Sequence, residues 1–201
     1  MKVIIVRHGQ TNENAGKIII GREIDVLLNK VGILQAKKLG EFLKNEKIDF
    51  AYVSPQKRAV HTAQEVLKFH TSVKIVKTPH LREQNLGIYE AVGKSEWKEI
   101  KKNTKEPFHL FKPPKGESYF ELQERVKTFF NTLLDKHKND TVLVVSHGGT
   151  LGMLYLHLFD KEITEANYNV HKPENTALTI LEIYENAPIK VHKVNSLKHL
   201  N

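Results

Sequence analysis

Cysteine is absent from the 201 residues, so neither a disulfide framework nor a thiolate metal or redox site is available. No apolar run approaches the roughly 20 residues that a membrane-spanning helix needs. The short apolar stretch at residues 3–6 gives way at once to Arg7-His8-Gly9-Gln10, with no small-residue cleavage site of a secretory signal. A cytoplasmic protein with no membrane partner is expected. Negative charge is the scarcer sign, with 23 Asp and Glu against 31 Lys and Arg, a net charge of +8. Such a surplus attracts nucleic acid, anionic membranes or small phosphorylated molecules. However, there is no arginine-rich arm and no stripe of aromatics interleaved with basic residues. The lysines are scattered, as in Lys37-Lys38, Lys101-Lys102 and Lys136-Lys138. That spread favours a solvated surface over a nucleic-acid partner. No repeat, low-complexity tract or linker divides the chain, and a single domain over residues 1–201 is expected.

What is present reads as alternating strands and helices. Residues 2–6 form a β-branched run ending in a polar turn, a buried strand. Val31, Leu34, Leu39, Phe42 and Leu43 recur at helical spacing and predict an amphipathic helix over 29–45. A second strand, 50–53, stops at Ser54-Pro55, where Pro55 suits a first helical turn with Ser54 as N-cap. A third strand is expected over 73–77, a long helix over 117–137, the most apolar strand over 141–145 and a helix over 150–159. Residues 177–184 and 190–194 read as an antiparallel hairpin turning at Asn186-Ala187-Pro188. Between the third strand and the long helix, 79–116 is irregular and holds four of the seven prolines, and 85–116 reads as an insertion facing the substrate. Apolar strands alternating with helices predict an α/β fold, its mostly parallel sheet covered on both faces, with an antiparallel edge.

Ligands of open α/β sheets bind beyond the carboxyl ends of the strands. There the first strand delivers Arg7-His8-Gly9 and the strand over 141–145 delivers Ser146-His147-Gly148. Residues 50–53 lead to Arg58, and 73–77 lead to Glu83. If these strands are parallel neighbours, two histidines, two arginines and a glutamate converge on one edge. Arginine's planar fork grips phosphate oxygens. A neutral imidazole can attack phosphorus and split one displacement into two, and a carboxylic acid can protonate the leaving oxygen and then activate water. Nothing in that chemistry requires a metal or cofactor, and no metal-ligand spacing is evident. A lone histidine is more often structural than catalytic, and His61, His70, His109, His137, His171, His192 and His199 are read as structural.

The chain also resembles the histidine phosphatase superfamily, in its phosphoglycerate-mutase-like branch. The likeness lies in Arg7-His8-Gly9-Gln10-Thr11 with Asn14, in Gly21…Asp25…Leu28-Asn29…Gly32…Gln35-Ala36, and in Ser54-Pro55…Arg58-Ala59…Thr62-Ala63. It continues through Leu81-Arg82-Glu83…Gly87…Tyr89-Glu90, Gly116-Glu117-Ser118…Arg125 and Ser146-His147-Gly148. The resemblance implies a three-layer α/β/α sandwich. It implies His8 as the nucleophile that becomes phosphorylated, with Arg7, Arg58 and His147 holding the phosphoryl group. Asn14 would add a hydrogen bond, and the Gly148 N–H would face the phosphate. Glu83 would be the proton donor, and Thr11 and Gly21 would line the substrate side. Two departures concern loop shape: Ala91 stands where glycine is common, and Leu27 where proline is frequent.

The mutases of this superfamily clamp the far end of their substrate with an arginine pair in the insertion. Here no arginine lies between Arg82 and Arg125. A phosphatase is therefore expected, acting without metal on small phosphorylated metabolites through a phosphohistidine. A mutase dependent on 2,3-bisphosphoglycerate is the first alternative. A phospho-ligand-binding module is the second, disfavoured because binding alone needs no nucleophile and acid together. The sequence carries no sign of oligomeric state.

Overall fold

Strands buried on both faces read as continuous apolar runs, and the computed structural model, which describes residues 1–185 and 187–201, shows them in that setting. One six-stranded sheet has the order β3-β2-β4-β1-β5-β6. Its strands are β1 (Lys2–Arg7), β2 (Phe50–Val53), β3 (Ile75–Lys77), β4 (Thr141–Ser146), β5 (Leu178–Glu182) and β6 (Lys190–Ser196). The first four are parallel, and β5 and β6 add an antiparallel edge. The expected hairpin is present, but its turn, placed by the sequence at Asn186-Ala187-Pro188, includes Asn186, outside the described residues.

Strand pleating assigns alternate side chains to opposite faces. Val3 and Ile5 of β1 join Val142 and Val144 of β4 beneath α5 (Tyr119–Lys136), α6 (Gly148–Leu158) and α7 (Glu165–His171). Ile4 and Val6 join Leu143 and Val145 beneath α2 (Lys30–Leu43) and α3 (Lys57–Val66). The result is the expected three-layer α/β/α sandwich. Two further helices, α1 (Asn12–Ala15) and α4 (Lys94–Asn103), flank the carboxyl edge, and α4 lies inside the stretch read as irregular. The long helix starts at Tyr119, where Ser118 and Glu121 close a capping box.

Two local expectations are corrected. Of the five residues read as the apolar face of α2, Leu39 and Leu43 are buried, but Val31, Leu34 and Phe42 are 50%, 56% and 42% exposed. The buried face is Gly32, Ala36, Leu39, Gly40 and Leu43. Small residues won because α2 approaches α3 at backbone distance: a Cβ on Gly40 would sit 2.7 Å from the Glu65 carbonyl oxygen. Ser54 does not cap α3 either. That helix begins at Lys57 with Gln56 as a cap lacking a side-chain bond, because the Ser54 hydroxyl is engaged with His147. Ala91, noted above as a departure from glycine, has φ of 64°, in the left-handed region that favours glycine.

Close approach also fixes the loop after β1. A Cβ on Gly32 would meet the Gln10 carbonyl oxygen at 2.1 Å. Gly32→Ala is therefore expected to destabilise the fold by about 2–3 kcal/mol, as backbone overpacking does. For a chain this size the melting temperature should fall by roughly 5–10 °C. An unchanged thermal melt would show that the loop yields without strain.

Candidate active site

The parallel strands carry their terminal residues to a single cleft of about 220 Å³. Arg7, His8, Thr11, Asn14, Arg58 and Glu83 line it, as do Trp97, Tyr119, Tyr168 and Lys172. His8 follows β1 and is 4% exposed. Its Nδ1 lies 2.7 Å from the Gly9 carbonyl oxygen. A carbonyl only accepts, so Nδ1 carries the proton and Nε2 keeps its lone pair. Desolvation first, and then the Arg58 and Arg7 charges, hold the His8 pKa well below 6.5, leaving a neutral imidazole at pH 7.

His147 follows β4 and is fully buried, its ring centroid 5.1 Å from that of His8. Its Nε2 is 2.7 Å from Ser54 Oγ, and its Nδ1 is buried without a partner. Burial, with the Arg58 charge second, lowers this imidazole too. Arg58 comes from the first turn of α3. Its Nη2 donates to the Gly21 carbonyl at 3.1 Å and its Nη1 to that of Ile24 at 3.3 Å. Arg7 Nη1 donates to the Pro173 carbonyl at 2.7 Å, and its Nε is buried with no partner. Desolvation pulls both guanidinium pKa values down and the Glu83 charge opposes it, so both remain cations.

Glu83 sits at the N-terminus of α6, where positive partial charge gathers. Its carboxylate accepts from the Gly149 and Thr150 N–H groups, each at 3.0 Å. The Gly148 N–H is not part of this cap. A Cβ on Gly148 would nevertheless lie 3.3 Å from Arg7 and 2.9 Å from Lys172, which places Gly148 behind the cations. Thr11 and Asn14 face the cleft while bonding each other, with the Asn14 carbonyl oxygen accepting from the Thr11 N–H at 3.2 Å. Gly21 does not line the cleft. Its carbonyl anchors Arg58, its N–H donates to Glu90 at 2.8 Å, and a Cβ there would collide with Glu90.

Several residues at the site have roles that the sequence does not assign. Gln56 bonds the Gly21 carbonyl through Nε2 at 3.0 Å and accepts the Glu83 N–H at 2.9 Å, tying the arginine's anchor to the acid. Arg125 donates to the carbonyls of His80 and Arg82, steadying the turn before Glu83. Lys172 adds a cation beside Arg7. No motif marks Gln56 or Lys172, and the block that holds Arg125 assigns it no role, because these roles depend on segments distant in sequence. Among the described residues, no three His, Asp or Glu side chains gather as a metal cluster, and no helix is long and apolar enough to cross a membrane.

Comparison with known proteins places this geometry. The histidine phosphatase superfamily (branch 1) matches residues 3–196. Phosphoglycerate mutase-like protein 4 of Arabidopsis thaliana is 30% identical over 205 residues, covering 99% of this chain and 86% of that protein. A metal-independent phosphoserine phosphatase of the same plant is 33% identical over 166 residues, 78% of this chain and 68% of that one. The crystal structure of an Entamoeba histolytica phosphoserine phosphatase in complex with 3-phosphoglyceric acid has a TM-score of 0.84 at 26% identity, covering 100% of this chain and 99% of that one. With a match running almost end to end, and a sheet that brings paired histidines, paired arginines and a glutamate to its carboxyl edge, the chain belongs to the histidine phosphatase superfamily, branch 1, and is a phosphatase-class enzyme.

Proposed function

We propose that the protein is a metal-independent phosphomonoesterase that hydrolyses small phosphorylated metabolites through a phosphohistidine on His8. The observation that carries this reading is the state of His8: Nδ1 is committed to the Gly9 carbonyl, and burial first, then the Arg58 and Arg7 charges, keep the ring neutral. In the first step the Nε2 lone pair forms an N–P bond as the ester P–O bond breaks, and the leaving oxygen takes a proton from Glu83. In the second step the Glu83 carboxylate takes a proton from water, whose oxygen bonds phosphorus as the N–P bond breaks. Inorganic phosphate leaves and Glu83 is protonated again.

Arg7 and Arg58 supply the positive charge that stabilises the phosphoryl oxygens, and the His147 ring beside His8 adds a donor when its Nδ1 is protonated. That fixed charge supports metal independence, as does the likeness to a phosphatase so named. Hydrolysis is favoured over mutase action because no arginine between Arg82 and Arg125 is available to clamp a reorienting intermediate.

The test is phosphate release from a panel of phosphomonoesters in EDTA, with the enzyme quenched during turnover on a labelled substrate. Release should persist, and the trapped label should be acid-labile and stable to base, as a phosphoramidate is. Activity that vanishes in EDTA and returns with Mg²⁺ would overturn the metal-independent reading. Turnover without labelled protein would overturn the covalent one.

A further inference from the structure

Gln56 occupies the N-cap of α3 yet gives that helix no side-chain bond. Residues at this position are usually Ser, Thr, Asp or Asn, whose short side chains accept from the first free N–H groups. Here Asp25 supplies such a bond from another segment, its Oδ1 accepting from the Lys57 N–H at 2.7 Å. The Gln56 amide, on a residue only 4% exposed, is spent elsewhere.

Its two ends serve opposite partners. Nε2 donates to the carbonyls of Gly21 at 3.0 Å and Arg22 at 3.3 Å, and Oε1 accepts from the Glu83 N–H at 2.9 Å. Turned over, the amide would set oxygen against two carbonyls and NH₂ against an N–H, so the partners fix its orientation. Other side chains of this length cannot serve both. Ionised glutamate only accepts, and methionine has no donor and only a weak acceptor.

Both partners lead to the reacting centre. The Gly21 carbonyl also takes Arg58 Nη2 at 3.1 Å, and the Ile24 carbonyl of the same loop takes Nη1 at 3.3 Å. Glu90 grips the Gly21 peptide from its other side, accepting the N–H at 2.8 Å. On the Glu83 side, the Gln56 oxygen is the acceptor of that backbone N–H, while the Glu83 carboxylate is held by Gly149 and Thr150.

We infer that Gln56 is a positioning residue for both halves of the reaction: one amide sets Arg58 for the phosphoryl group and Glu83 for the leaving oxygen. The inference rests on the phosphomonoesterase reading for the roles of those two side chains.

The test compares full-length Gln56→Met, Gln56→Glu and Gln123→Met with the unaltered enzyme. Gln123 also donates to a carbonyl, that of Met153 at 3.2 Å, but it lies on α5 and does not line the cleft. The readouts are the Kd for inorganic phosphate by calorimetry and the first-step rate on butyl phosphate and p-nitrophenyl phosphate in single turnover. Gln56→Met keeps the length and loses both ties. Phosphate binding should weaken about tenfold, as for one lost hydrogen bond. The first step should slow about 10–10²-fold on butyl phosphate and less than about threefold on p-nitrophenyl phosphate, since only the alkyl ester needs the acid in place. Gln56→Glu keeps the acceptor for Glu83 but sets an anion against the Gly21 carbonyl. It should weaken phosphate binding by at least as much while changing the ratio of the two rates less than about threefold. Gln123→Met should move neither readout.

A lower melting temperature for Gln56→Met with affinity and rate ratio unchanged would overturn the inference and make Gln56 a packing residue. A change in only one readout, or the same change in Gln123→Met, would overturn the shared role. If Gln56→Met does not fold, Gln56→Glu decides, and unchanged phosphate affinity in it overturns the inference. If the unaltered enzyme cleaves neither ester, the phosphomonoesterase reading falls by itself. Phosphate affinity then decides the role of Gln56, because binding needs no turnover.

Discussion

Replacing His8 with alanine should lower kcat/KM for p-nitrophenyl phosphate by at least about 10⁴-fold, because removing the nucleophile of a covalent mechanism leaves only binding and charge stabilisation. The fold should survive. His8 donates one hydrogen bond, to the Gly9 carbonyl, and losing it leaves an acceptor unpaired at a cost of about 1–3 kcal/mol. The neighbouring loop keeps its other ties, from the Gly9 N–H to Thr62 Oγ1 at 3.0 Å and from Asn175 Nδ2 to the His8 carbonyl at 3.0 Å. Steady-state rates and a circular-dichroism melt on one preparation would check both halves. A folded variant that keeps more than a few per cent of its activity would mean that the phosphoryl group never visits His8.

Glu83→Gln should separate substrates by their leaving groups. Glutamine is isosteric, and its single carbonyl oxygen can still accept one of the Gly149 and Thr150 N–H groups that hold the carboxylate. What disappears is the transferable proton. For alkyl phosphates, whose alkoxide leaves poorly, the loss in kcat should be about 10²–10⁴-fold, the usual range for general acid catalysis. For p-nitrophenyl phosphate, whose phenolate leaves without help, the first step should slow by less than about tenfold. Measuring both substrate types on one enzyme stock decides the matter. Equal losses would assign Glu83 to positioning, with the proton coming from elsewhere.

The two variants probe residues that could be named before any fold was known, for a definite reason. His8 and His147 each end a run of β-branched and aliphatic residues, and such runs mark strands buried on both faces. The carboxyl ends of parallel strands are where open α/β sheets hold their ligands. Ser54 shows the opposite. Next to Pro55 it has the local features of a helix cap, yet its hydroxyl belongs to His147, 93 positions away in the chain. A local rule cannot anticipate a partner that only the β2–β4 pairing brings near.

The sequence by itself determined the layered architecture, the strands of the sheet and which residues lie at the strand ends, because continuous apolar runs and the polar turns that end them are local properties of the chain. Tertiary structure alone decided how those groups are held and what lies beside them. It turned α2 onto Gly32, Ala36, Leu39, Gly40 and Leu43 rather than onto Val31, Leu34 and Phe42, with Gly40 letting the backbone of α2 come close to that of α3. It made Gly21 an anchor for Arg58 rather than a cleft wall, and set Gln56 between that anchor and Glu83. It also placed Lys94, Trp97, Lys98 and Lys101 of α4 along the same cleft as His8. On the sequence those lysines are indistinguishable from solvated ones, because the direction a helix face points is fixed by packing against residues far along the chain.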